Sequence, residues 1–225
     1  DESVAAALVN FPLSERSAVF VGAFHVSGAG DGRASTAGAG ADAYFGPNRE
    51  LELFGEAWFQ SGRAGPGVTK RAWAGRFGGR YFAGAWSAEV STEYLSGDGD
   101  PADGRDEAFQ SYEGRERFQI VESAEFGLDW DSNLASFRAA VERKFEGGVA
   151  LRLDAGRFRL PEEPSPGLGK DLGTEIDVTL KAALSPAVET WAAVAALLGS
   201  DALEAASRGG DDSAVLAALG IAVRW

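Results

Sequence analysis

The chain has 225 residues, of which 45% are hydrophobic, and carries 34 acidic against 21 basic side chains, a net charge of −13. This apolar content can bury a core, which excludes a disordered chain, and the acidic balance argues against binding to nucleic acid. The absence of cysteine excludes disulfide scaffolds and thiolate metal centres. The longest apolar stretches fall far short of the roughly 20 residues of a membrane-spanning helix, whereas a tilted strand crosses with about 9–11.

Alternation of apolar and polar residues predicts strands along most of the chain. In residues 50–60, Leu51, Leu53 and Phe59 fall on one side and Glu52 and Glu56 on the other, which is the period of a strand. The same period predicts further strands, and weaker candidates have small or apolar residues on both sides. The clear segments are residues 69–81, 85–95, 137–145, 151–154, 172–182 and 215–225, and the weaker ones are residues 4–11, 18–27 and 190–199. The total is about ten strands, with eight or twelve as alternatives.

A helix is an alternative for residues 187–208, because Ala and Leu dominate there and both favour helices. The strand interpretation is preferred because this segment continues the spacing of the unambiguous strands.

The predicted connections are of two kinds. Short turns rich in Gly and Pro occur at residues 65–67, 146–148 and 185–186. Long polar loops are predicted at residues 28–47, 97–119, 161–171 and 200–212, with a mobile glycine-rich stretch at 28–40. Short turns at one end and long loops at the other are typical of an outer-membrane barrel.

The period alone does not say which side of each strand meets water. A soluble fold turns its charged side outward, whereas a membrane barrel turns its apolar side to lipid and its charges inward. Here the charged sides carry both signs on neighbouring strands, which allows them to neutralise each other in a narrow lumen. Aromatic residues lie near strand ends, as membrane interfaces favour, at Phe59, Tyr81, Tyr94, Phe145 and Trp225.

These features predict an all-β, antiparallel up-and-down transmembrane β-barrel in which residues 1–225 form a single domain. A soluble all-β fold is the alternative. The residues predicted to line the lumen are the charged members of the strands: Glu50, Glu52, Glu56, Lys70, Arg76, Arg80, Glu89, Glu93, Arg138, Glu142, Lys144, Arg152, Glu175, Asp177 and Lys181.

Four runs of the sequence resemble the alginate-export-type outer-membrane porins of Gram-negative bacteria. They are residues 50–62, 93–109, 133–162 and 172–184, and the last, LGTEIDVTLKAAL, is the most specific. The resemblance covers residues 50 to 225 and implies a porin-type barrel. This chain differs from the family in two respects. Family members are commonly about twice as long, and the alginate exporter has an arginine-rich pore.

Catalysis and metal binding find little support in the sequence. His25 is the one histidine and has no partner for acid–base chemistry, so the protein is expected not to be an enzyme. The acidic residues 97–107 could gather oxygen ligands for Ca²⁺, but their spacing does not match a calcium loop, and a solvated acidic loop is preferred. No metal and no cofactor is predicted.

The expected function is porin-like passage of small polar or anionic solutes through the charged lumen. The alternative is a closed barrel that acts as a structural or docking subunit of a larger outer-membrane assembly, because a barrel of about eight strands is filled by its own side chains. The expected location is the outer membrane of a Gram-negative bacterium, and the expected partners are its lipids and envelope proteins.

Overall fold

The computed structural model describes residues 3–27, 33–110, 118–121, 132–163, 169–201, 204 and 212–223. These residues form one antiparallel, up-and-down sheet of 12 strands, in which nearly every strand pairs with its neighbours along the chain. The predicted fold class is confirmed, with a strand count at the upper of the predicted alternatives.

The strands are β1 (Ser3–Ser14), β2 (Ser17–Ser27), β3 (Arg33–Phe45), β4 (Leu51–Gly65), β5 (Val68–Ala83), β6 (Trp86–Leu95), β7 (Arg105–Asp106), β8 (Leu134–Lys144), β9 (Val149–Arg159), β10 (Asp171–Ser185), β11 (Val188–Leu198) and β12 (Ser213–Val223). The two-residue β7 lies off the main order and pairs in parallel with β5. β1 and β12 stand at the two ends of the strand order.

Within the described part of the chain, no helix is both long and apolar enough to span a membrane.

The connections at the two ends of the sheet differ in length. The links after β1, β3, β5, β8 and β10 are all brief, and we call this side the short-turn end. The links after β6, β9 and β11 are long, and we call their side the long-loop end. The β4–β5 hairpin also turns at the long-loop end, through the brief pair Pro66 and Gly67.

The prediction of a long loop at residues 28–47 is wrong for residues 33–45, which form β3. This strand alternates Ala and Gly, so neither side shows a hydrophobic stripe. The small residues are explained by their neighbours, because a Cβ atom at Gly38 would overlap the Trp58 ring and one at Gly40 would overlap the Phe20 ring. Two aromatic side chains therefore lie over the backbone of β3.

We expect Gly38→Val to destabilise the protein by about 1–3 kcal/mol, because the added atoms must displace the Trp58 ring. The control is Ala39→Val, whose side chain points to the exposed side of the same strand and is expected to change stability by less than about 0.5 kcal/mol. Urea unfolding of the protein in lipid vesicles, followed by tryptophan fluorescence, measures both. Equal losses for the two variants would contradict the packing of β3 under the rings.

The strand interpretation of residues 190–199 is confirmed, since β11 pairs with β10 on one side and β12 on the other. Ala193 and Ala195 are buried on one side of β11, while Val194 is exposed on the other. Pairing on both edges fixes this Ala- and Leu-rich segment as a strand and overrides its local preference for helix.

Candidate functional site: the charged inner face of the sheet

The sheet has two chemically different faces. We call the side that carries the charged residues of β4 to β10 the inner face, and the opposite side the outer face. On the outer face large apolar side chains are exposed, with Phe77 at 68% and Leu219 at 80%. On the inner face ionisable side chains are buried, with Glu89 at 7%, Arg138 at 6% and Glu175 at 0% exposure. A soluble antiparallel sheet has the opposite arrangement.

Arginines and carboxylates pair across β4, β5 and β6 on the inner face. The strand register sets Glu52, Arg80 and Glu89 in one row. The Arg80 guanidinium donates to Glu89 Oε2 at 2.6 Å and to Glu52 Oε2 at 3.2 Å. Arg76 reaches the other oxygen of Glu89 at 3.5 Å and lies over the Phe54 ring. The guanidinium groups of Arg76 and Arg80 therefore both have a carboxylate neighbour.

A second charged group lies on β6, β8 and β9. Arg138 donates to Glu93 Oε2 at 2.9 Å and to Ser136 Oγ at 2.9 Å. Its guanidinium lies 5.4 Å and 5.6 Å from the centroids of the Phe118 and Phe158 rings, distances at which aromatic rings attract a cation.

Arg152 and Asp154, two residues apart on β9, form a close pair on the same face. The guanidinium donates through Nη2 to Asp154 Oδ1 at 2.6 Å and through Nε to Oδ2 at 2.7 Å. This fork-to-carboxylate geometry is the strong form of the interaction. Together with Glu89 and Arg138, the pair lines a small pocket beside Phe118.

Part of the long β6–β8 connection folds back onto the inner face. We call residues 118–121 the infolded segment. The Glu175 carboxylate accepts the backbone N–H of Ile120 at 2.7 Å and of Val121 at 2.8 Å, and Asp177 Oδ2 accepts that of Gln119 at 3.2 Å. Two predicted lumen residues therefore hold a loop segment against the strands.

The beginning of the same connection is also held against the inner face. The side-chain amide of Gln60 donates to the Gln110 carbonyl at 2.7 Å and accepts the Gln110 N–H at 2.9 Å. Lys70 donates to Asp106 at 2.9 Å and to the carbonyl of Ala108. The connection thus runs over β4 and β5 at the long-loop end before it reaches β10.

A small apolar core fills the space between the infolded segment and the strands. Phe118 and Phe158 meet edge to face with centroids 4.8 Å apart. Ile120 and Val121 are fully buried with Leu160 and other members of this cluster. The prediction of a polar loop at residues 97–119 did not include this packing. The signal for it is the apolar residues Phe109, Phe118 and Ile120 in and directly after that stretch.

Of the remaining predicted lumen residues, Glu56 lies within β4 and accepts the indole N–H of Trp58 at 3.1 Å, and the others lie toward the short-turn end. Lys144 Nζ is 3.8 Å from Glu142 Oε1 and its side chain is largely exposed, and Lys181 is exposed as well. Glu50 lies outside β4, in the β3–β4 turn, where its carboxylate accepts from the backbone and the side-chain amide of Asn48. The pKa of Glu50 lies below its ordinary value, first because its own backbone N–H donates to the carboxylate.

The acidic stretch of residues 97–107 uses its carboxylates within the loop. Asp98, Asp100 and Asp103 each accept the backbone N–H of the residue two positions later. Among the residues that the structure describes, no group of three or more His, Asp or Glu side chains is arranged to hold a metal ion.

His25 lies on the outer face of β2, where its Nδ1 is 2.9 Å from Ser35 Oγ on β3. This hydrogen bond joins two neighbouring strands.

No protein-family model matches the chain, and no curated protein matches its sequence. Among solved structures, the chain is similar to the crystal structure of Pseudomonas aeruginosa OccK5 (OpdH), with 13% identity and a TM-score of 0.61 over 99% of this chain and 58% of that one. It also aligns with the NanC porin in a rhombohedral crystal form, with 7% identity and a TM-score of 0.48 over 100% of this chain and 94% of that one.

The likeness to OccK5 is one of fold alone. The chain spans 58% of the length of that protein. The comparison therefore supports the all-β, up-and-down antiparallel fold, while the resemblance to the alginate-export-type porins stays a prediction.

Proposed function

We propose that the sheet is part of the wall of an outer-membrane barrel in a Gram-negative bacterium, and that small polar solutes pass along its inner face. The observation that carries this proposal is the reversed burial of the two faces, with exposed Leu219 and Phe77 outside and buried Glu89, Arg138 and Glu175 inside. Apolar side chains on the outer face suit contact with lipid, and paired charges on the inner face suit a hydrated passage.

The arrangement of charges favours neutral and cationic solutes over anionic ones. The inner-face arginines of β5, β8 and β9 are each neutralised by a neighbouring carboxylate. Four further carboxylates stand on this face, at Glu56, Glu142, Glu175 and Asp177, against the two amines of Lys144 and Lys181, so its balance is slightly acidic. A mixed lining of this kind passes small polar molecules and gives cations a weak preference.

The infolded segment sets the width of this passage. It covers the inner face of β9 and β10 between Phe158 and Glu175. We propose that solutes pass between the segment and the row formed by Glu52, Arg80 and Glu89.

We expect the purified, folded protein to conduct ions in planar bilayers and to show a weak cation preference in a KCl gradient. The double variant Glu89→Gln/Glu93→Gln removes two inner-face carboxylates and is expected to move the reversal potential toward anion selectivity. The control is Arg143→Gln on the outer face of β8, which is expected to leave the reversal potential unchanged. A folded protein without any conductance would remove the transport proposal.

A closed barrel with a structural or docking role is the second candidate. The apolar core under the infolded segment favours it, because Phe118, Ile120 and Val121 fill space that would otherwise hold water. In this case the protein folds in lipid and conducts no ions. The alginate-export-type resemblance concerns the family alone and supports either candidate.

A further inference from the structure

Charge is unevenly divided on the outer face of the sheet. On the described parts of the eleven long strands, its Lys and Arg side chains are all arginines: Arg33, Arg63, Arg71, Arg143, Arg157 and Arg159. Its acidic side chain is Asp171, which pairs with Arg157 at 2.7 Å. In a chain of net charge −13, this lipid-facing surface is basic and its charges lie near strand ends.

Three of these arginines form a cluster at the long-loop end of β3, β4 and β5. Arg33 and Arg63 are direct cross-strand neighbours in the β3–β4 ladder, a position that sets Cβ atoms about 4.5–5.5 Å apart. Arg71 lies on β5, opposite Ser61 and diagonal to Arg63. All three side chains are exposed. We call Arg33, Arg63 and Arg71 the arginine cluster.

The arginine cluster has no acidic partner in the structure as described. No salt bridge joins any of the three guanidinium groups to a carboxylate among the residues that the structure describes. Three like charges on adjacent strands repel each other. A surface of this kind is stabilised by a ligand that brings negative charge.

Aromatic side chains fix the depth of the cluster relative to the membrane. Trp73 lies opposite Phe59 in the β4–β5 ladder and stacks on Tyr94 with ring centroids 4.4 Å apart. Such rings are typical of the headgroup level. Arg71 lies two residues before Trp73 in the sequence and is about 7 Å nearer to the long-loop end along the strand. The cluster therefore lies at the depth where lipid phosphates are found.

We propose that the arginine cluster binds the phosphate groups of a lipid headgroup in the leaflet on the long-loop side. The guanidinium fork matches phosphate oxygens in bidentate geometry, and several such contacts on one multiply charged headgroup reinforce each other. The outer leaflet of this membrane contains a phosphorylated glycolipid, and this lipid is the occupant. The assignment of the long-loop end to the outer leaflet rests on the proposed function, whereas binding itself does not.

The test titrates lipid A, the phosphorylated anchor of that glycolipid, onto the full chain folded in dodecyl maltoside micelles, with binding followed by native mass spectrometry. We expect R33Q/R63Q/R71Q to weaken binding by about tenfold or more. R33K/R63K/R71K keeps the charges but loses the bidentate guanidinium groups. Its affinity for lipid A is expected to lie between those of the original chain and R33Q/R63Q/R71Q. The control K144Q/K181Q removes two exposed cations at the short-turn end and is expected to bind as the original chain does.

Further arms separate the lipid from other anions. Dephosphorylated lipid A is expected to bind weakly to every variant, and excess inorganic phosphate is expected not to displace lipid A. Equal affinity of the original chain and R33Q/R63Q/R71Q would overturn the proposal, as would full displacement by free phosphate. Conductance in planar bilayers, measured on the same samples, is expected to be unchanged by R33Q/R63Q/R71Q, so the lipid site and the transport proposal fail or succeed separately.

Discussion

Val178→Arg is expected to destabilise the folded protein in lipid by about 2–4 kcal/mol, because the substitution puts a cation on the outer face near the centre of β10. Val178 stands midway along this strand, where the bilayer midplane is expected. Its two chain neighbours, Asp177 and Thr179, point to the inner face.

The matched control is Thr179→Arg, one residue further along β10. Its side chain points to the inner face, between Arg152 of β9 and Ala193 of β11, where the lining already holds charges of both signs. We expect a loss of less than about 1 kcal/mol for this variant. Urea unfolding in lipid vesicles measures both losses, and a larger loss for Thr179→Arg than for Val178→Arg would mean that the two faces are assigned in reverse.

Glu175→Gln is expected to release the infolded segment. The two Glu175 oxygens accept two backbone N–H groups, and an amide side chain has a single acceptor oxygen, so at least one of these bonds is lost. A buried N–H group left without its acceptor costs about 1–3 kcal/mol. Hydrogen exchange at the amides of Ile120 and Val121 is expected to accelerate roughly ten- to hundredfold, and single-channel conductance is expected to rise.

Asp177→Asn is the control for the same segment. Asp177 accepts one backbone N–H through Oδ2, at the longer distance of 3.2 Å. An asparagine keeps one acceptor oxygen, so we expect little change in exchange or conductance. If Glu175→Gln and Asp177→Asn behaved alike, the Glu175 carboxylate would not be the main attachment of the segment.

The strands with a strong contrast between their two sides could be predicted from the sequence. In β4, Leu51 and Leu53 alternate with Glu52 and Glu56. The structure places the two leucines on the exposed outer face and the two glutamates on the more buried inner face. A residue exposed on the outer face and a residue buried among charges on the inner face need opposite chemistry, so the period can be recognised without tertiary information.

β3 could not be predicted in this way, since its side chains are small on both sides. Gly38 and Gly40 are small because rings from β4 and β2 lie over them. That requirement comes from neighbouring strands, and hydropathy along the chain does not record it. The same holds for the infolded segment, whose attachment to Glu175 joins residues more than fifty positions apart.

Apart from Glu50, which lies in the β3–β4 turn, the charged residues predicted to line the lumen lie on the inner face of the sheet, and their role as a lining stays a prediction. The partners of each charge could not be predicted from the sequence. Glu89 and Arg80 neutralise each other, whereas Glu175 is committed to a loop backbone. The alternation along a strand predicts the face on which a side chain lies. The register between strands determines which charged side chain lies opposite it.

The direction of the outermost strands has a consequence for the complete wall. Eleven long strands of the described residues follow one another as antiparallel neighbours, so β1 and β12 run in the same direction. A direct seam between them would be a parallel one. A closed cylinder with antiparallel hydrogen bonds throughout therefore requires an odd number of added strands between these two edges, since each unpaired backbone group in hydrocarbon costs several kcal/mol.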